Sequence, residues 1–132
     1  MKPIPSIHHI SLTVREIDRS VAWYTEVLGL SHLMEETHPD GSGYAVVLGP
    51  PDWSMCVGLH QHATNGGEAF AEQRTGLDHV SFLVSSRAEL EEWERRFRDL
   101  DVVHSPVNDQ DGYSVVVFRD PDNIQLELVC LG

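Results

Sequence analysis

One spacing constrains this chain more than any other: a group of side chains recurs 70 residues later. His9, Ser11, Val14 and Trp23 return as His79, Ser81, Val84 and Trp93. The local signals around each group come in the same order. From Ile7 to Val14 the residues alternate, with Ile10, Leu12 and Val14 on one face and His9, Ser11 and Thr13 on the other. This is the pattern of a strand with one buried face. Leu77 to Val84 repeats it. A helix follows each strand. In the first, Asp18 or Ser20 can cap, Val21, Tyr24 and Leu28 share a face, and Gly29 offers a left-handed stop. In the second, Ser86 and Glu89 make a capping box, and Leu90, Trp93, Phe97 and Leu100 form the buried stripe.

Three strand signals follow each helix. They lie near His32, at Tyr44 to Leu48 and at Ser54 to His60, then near Val102 to His104, at Tyr113 to Phe118 and at Ile124 to Cys130. The order predicts an α+β chain of tandem βαβββ modules, at about 5–60 and 77–131, in a single domain over 1–132. Residues 61–76 carry no clear periodicity and read as the linker, with room to cover a site. A repeat of this length excludes a solenoid.

Composition narrows the partners. With 21 acids against 9 Lys and Arg, the formal charge is -12, a field that repels nucleic acid and anionic membrane. Solubility is the simplest reading of that charge. No apolar run is long enough to span a bilayer, and Met1 to Pro5 lacks the apolar core of a signal peptide, so the expected location is cytoplasmic. Cys56 and Cys130 sit in strand-like runs with no disulfide or zinc spacing. Eight histidines are many for 132 residues and point to metal or acid–base chemistry.

Glu127 is the most informative single residue. Asp120-Pro121-Asp122-Asn123 forms a turn, after which Leu126 and Leu128 point one way and Gln125, Glu127 and Val129 the other. A carboxylate in such a strand needs a proton, a cation or a metal. Arg74 and Arg119 are the competing partners. For His9 and His79, the competing reading is a hydrogen-bonded core histidine. Ser11 and Ser81 follow these histidines by two positions on the same face. They either touch a substrate or satisfy strand edges. Tyr113, after Asp111-Gly112, either donates to a substrate oxygen or packs at a rim. Asp120 and Asp122 read as turn formers.

Taken together, these marks resemble the vicinal oxygen chelate superfamily, which includes glyoxalase I, fosfomycin resistance enzymes, extradiol ring-cleaving dioxygenases and bleomycin-binding resistance proteins. The matching residues are His9-Ile10, Ser20-x-x-Trp23-Tyr24, Leu28-Gly29-Leu30, Asp78-His79-Val80, Asp120-Pro121-Asp122-Asn123 and Leu126-Glu127-Leu128. They run from about Ile7 to Val129. The resemblance implies modules that form a half-open mixed β-barrel around one divalent metal per site: Fe2+, Mn2+, Ni2+ or Zn2+. It assigns His9, His79 and Glu127 as ligands. His8 is expected on the opposite strand face from His9.

Gly58 stands where glyoxalase I members carry a further carboxylate or amide ligand. His60 can fill that space, shuttle a proton or bond a substrate; otherwise it lies wet at the barrel mouth, as can His62. The catalytic candidates are Glu127, His60 and Tyr113, and the substrate-binding candidates are Ser11, Ser81 and Tyr113. The implied function is a glyoxalase-like, divalent-metal-dependent enzyme acting on a small substrate with vicinal oxygens, by lyase, isomerase or dioxygenase chemistry. Val115 and Val117 disfavour a fosfomycin-type transferase. The alternative is a bleomycin-resistance-like binding protein without catalysis. The resemblance also implies a homodimer.

Overall fold

In each half of the chain, the strand that opens the module ends beside the strand that closes it. The computed structural model describes residues 1–132. In the first half come β1 (Ile10–Thr13), α1 (Ile17–Leu28), β2 (Ser31–Thr37), β3 (Gly43–Gly49) and β4 (Val57–His62). In the second come β5 (Val80–Leu83), α2 (Arg87–Asp99), β6 (Asn108–Gln110), β7 (Tyr113–Arg119) and β8 (Gln125–Leu131). The sheets have the orders β1-β4-β3-β2 and β5-β8-β7-β6. The α+β class and the tandem βαβββ order therefore stand as read from the sequence. The chain divides into two compact units, Met1–Glu68 and Ala69–Gly132.

A parallel pair needs a long crossover, and the helix with its two following strands supplies one in each unit. β1 runs parallel to β4, and β5 runs parallel to β8. The registers correspond: Ser11 lies opposite Gly58, and Ser81 lies opposite Glu127.

Each core lies between helix and sheet. In the first unit Leu12, Val14, Tyr24, Leu48, Val57 and Leu59 are buried. In the second, Phe97 of α2 stacks on Phe118 of β7 at 4.4 Å between ring centroids, over buried Leu90, Val116 and Leu126. Alternation along β7 and β8 buries every second residue and leaves Val115, Val117, Glu127 and Val129 on a half-exposed face. Both cysteines are free and buried.

The helix ends show what local sequence decides. Gly29 takes φ 70°, and its amide closes the last turn of α1 on the Thr25 carbonyl. Ser86 caps α2 by accepting from the Glu89 amide at 3.1 Å. The Glu89 carboxylate reaches back to Ser85, one residue earlier than a simple capping box would place it. At α1 the expected caps are not used. Its N-cap is Glu16, which gives no side-chain cap bond. The Ile17 amide instead donates to Oε1 of Gln61, 44 residues away, at 2.7 Å. A cap from another strand leaves no signal in the helix's own sequence.

The strand expected near Val102 to His104 is also displaced. His104 makes one isolated bridge with Phe118, and β6 forms only at Asn108–Gln110. Pro106 intervenes and lacks the amide that a continued ladder needs.

Gln61→Ala removes the acceptor at the start of α1 and should cost about 1 kcal/mol. Urea unfolding should show a lower midpoint with an unchanged slope.

Candidate metal centre

The turn before β8 fixes the height of Glu127. Asp120 is buried, and its Oδ1 accepts from the amides of Asp122 at 2.9 Å and Ile124 at 2.8 Å. The Asn123 amide donates to the Asp120 carbonyl at 3.0 Å, and Asn123 takes φ 66°. A carboxylate that gathers two amides holds a tight turn, and asparagine tolerates the left-handed region. β8 starts two residues later, and Glu127 falls on its half-exposed face.

The sequence offers Glu127 two arginine partners, Arg74 and Arg119. Arg119 is committed elsewhere. It grips Glu72 through two contacts of 2.9 Å and reaches Gln125 at 3.1 Å. This guanidinium holds the Glu72 carboxyl down to about 2. The ionic contact of Glu127 is with His79, Oε1 to Nε2 at 3.5 Å.

His79 is oriented from behind. Its Nδ1 lies 2.7 Å from Oδ1 of Asp78, which also accepts from Gln125 at 3.1 Å. An ionised carboxylate only accepts, so Nδ1 carries the hydrogen. Nε2 faces a second acceptor, Glu127, so either a proton on Nε2 or a metal ion on its lone pair bridges the contact. A metal bonded at 2.0–2.2 Å to both, at a tetrahedral angle, spaces its donors by about 3.4 Å. The pair fits that group, and a carboxylate behind a ligating imidazole is a common support. Asp78 was noted in the sequence only as a motif residue; its place just before His79 was the available signal.

In the first unit the equivalent register position is Gly58. A Cβ built there would lie 2.5 Å from Ser11 Oγ and 3.4 Å from His60 Nε2. The His60 ring thus leans back over the space a Gly58 side chain would occupy. Its other nitrogen, Nδ1, is 3.0 Å from Nε2 of His38. Burial first, then the neighbouring His38 and His62, push the His60 imidazole below its ordinary value. His60 is therefore a neutral base near pH 7. His38 escaped the sequence reading. The Pro39 to Gly43 turn, which sets residue 38 beside residue 43, was the clue to it.

The remaining candidates are less concentrated. His9 lies just before β1 and is exposed. Its Nδ1 contacts Nδ1 of His8 at 2.8 Å, with the rings edge to face. The expected separation of His8 and His9 onto opposite faces fails because strand alternation begins only at Ile10. Ser81 is the register partner of Glu127, and Ser11 that of Gly58. Tyr113 shares the Glu127 face of its sheet but pairs with Leu131. That is four residues along, or about 13 Å.

Comparison with known proteins agrees with this architecture. The model of the Glyoxalase/Bleomycin resistance protein/Dioxygenase superfamily matches residues 6–128, and the chain belongs to that family. A crystal structure of a glyoxylase/bleomycin resistance protein/dioxygenase domain from Frankia sp. EAN1pec is 32% identical, with a TM-score of 0.89 over 98% of this chain and 94% of that one. The Arabidopsis thaliana lactoylglutathione lyase GLX1 is 28% identical over 94% of this chain. A putative ring-cleaving dioxygenase, MhqA of Bacillus subtilis (strain 168), is 24% identical over 90% of it. The chain spans less than half the length of these two relatives, 44% and 37%.

In the metal-free protein, His60 should titrate below the ordinary histidine value of 6.5. Proton-detected NMR should show this, and His38→Asn should move the transition upward. The sign follows from linkage: the unfolded chain takes up this proton before the native one does. The native state therefore loses stability as pH falls below 6.5.

Proposed function

We propose that the chain is a divalent-metal-dependent enzyme acting on a small molecule with two neighbouring oxygens, and that its reaction is a proton-transfer lyase or isomerase step. His9, His79 and Glu127 are the proposed ligands of one Fe2+, Mn2+, Ni2+ or Zn2+ per site. The observation that carries this reading is the pair His79 Nε2 and Glu127 Oε1, 3.5 Å apart, with Asp78 fixing the imidazole tautomer. The likeness to a lactoylglutathione lyase supports the reaction class.

A bound divalent ion would act as a Lewis acid, stabilising negative charge that develops on substrate oxygens. The protein's own residues do the rest. Asp78 accepts from His79 Nδ1, which leaves Nε2 as the nitrogen turned toward the ion. Gly58 cannot serve as a base, but His60 leans into its space. When Nδ1–H of His60 donates to His38, the Nε2 lone pair faces Gly58 and can take a proton from a substrate carbon. Ser11 and Ser81 stand beside Gly58 and Glu127 and can donate to substrate oxygens. Tyr113 would reach only the outer part of an extended substrate.

Ring cleavage by a dioxygenase is the second reading. Two imidazoles and one carboxylate leave one face of an octahedral ion open, the arrangement suited to Fe2+ and oxygen. The relative named as a putative ring-cleaving dioxygenase favours it as well. A binding module without catalysis has no use for the Asp78–His79–Glu127 arrangement. By the family pattern we also propose a homodimer.

Elemental analysis of untagged, chelator-free protein should find about one such ion bound at this site per chain. His79→Ala should abolish that ion while leaving a folded dimer by light scattering. An unchanged ion count would remove His79 from the ligand set. Asp78→Asn should weaken metal binding by about 10- to 100-fold with no change in fold.

A further inference from the structure

The first unit contains a histidine cluster that the proposed His9–His79–Glu127 site does not use. His38, His60 and His62 each offer a ring nitrogen, and the three nitrogens lie within 4.8 Å of one another. We propose that these residues form a separate site for a borderline first-row ion, Zn2+, Co2+, Ni2+ or Cu2+.

Sheet register builds the cluster. His60 and His62 are two apart on β4 and therefore share a face. Their partners on β3 are Ala45 and Gly43, the smallest side chains available, so the imidazoles can lie over the sheet. His38 is brought alongside because its amide bonds the Gly43 carbonyl at 2.8 Å. A Cβ on Gly43 would stand 3.1 Å from His38 Nδ1 and 2.0 Å from the Gln61 carbonyl. Glycine at 43 thus makes room both for the strand and for the ring. The three rings gather at 4.8 to 6.2 Å between centroids.

The donor chemistry selects the ligand. His38 Nε2 and His60 Nδ1 are 3.0 Å apart. Two imidazoles on one ion with bonds of 2.0–2.1 Å stand about 3.3 Å apart, so His38 and His60 need a few tenths of an ångström of movement, while the His62 ring, within 4.8 Å, closes in by a rotamer adjustment. Three neutral nitrogens suit the borderline ions and not Mg2+ or Ca2+, which prefer oxygen. Three protein ligands leave a fourth position for water. His62, at the exposed end of β4, gives the ion its way in. Glu36 lies across from Ala45 on the same face and adds negative charge near His60. Loading would also place the His60 hydrogen on Nε2. The nitrogen facing Gly58 would then donate instead of accept.

The test uses the full chain and Co2+ alone as the probe, by equilibrium dialysis and visible absorption. The His79→Ala/Glu127→Gln double variant removes the other proposed site. It should still bind one Co2+ per chain, with the intense visible bands of a low-coordinate nitrogen site. Adding His62→Asn, or separately His38→Asn, should weaken that binding by at least about 100-fold. Circular dichroism would check that each variant is folded, and neither side chain belongs to the buried core. The inference is overturned if the double variant binds no Co2+. It is equally overturned if its Co2+ persists in a folded His62→Asn or His38→Asn variant. Failure of the His79–Glu127 site reads differently: wild type and double variant would then bind the same number of ions.

Discussion

The carboxylate of Asp120 holds the second unit in order. It is buried, and it takes the amides of Asp122 and Ile124. Unpaired, each amide in that position would cost about 1–3 kcal/mol. By tying them to one side chain, the turn sets where β8 begins. In a strand, a slip of one residue moves every side chain to the other face. Glu127 faces His79, and not the core, because Asp120 fixes that count. The same turn also anchors the segment preceding β5. The Phe70 amide donates to the Asp122 carbonyl at 2.8 Å, and Asn123 donates to the Phe70 carbonyl at 3.1 Å.

The two units keep one plan and differ where chemistry would be done. Ser11 faces Gly58 as Ser81 faces Glu127. Where the second unit has a carboxylate with an imidazole in front, the first has a bare backbone with an imidazole folded over it. The duplication preserved hydrogen-bond register, which backbone pairing enforces. It did not preserve the side chains on the open face, which pairing leaves free.

That division also explains what the sequence could reveal. The tandem order, the Gly29 stop and the Ser86 cap were legible because each depends on residues close in the chain. Glu127 stood out because a mid-strand carboxylate is costly without a partner. The Gln61 cap was hidden because its acceptor comes from 44 residues away. His38 was hidden because it becomes a neighbour of His60 only through the β3–β4 pairing. The facing of His8 relative to His9 was not legible because strand alternation begins only where β1 pairs with β4, at Ile10. For Gln61 and His38 the deciding contact was long-range and lay on a side chain, not in a periodicity.

Gln61 has a mechanical consequence. It sits between His60 and His62, and its side chain leaves the strand on the opposite face to hold the first amide of α1. The strand that presents the two imidazoles on one face therefore also closes, from its other face, the first turn of the helix packed behind it.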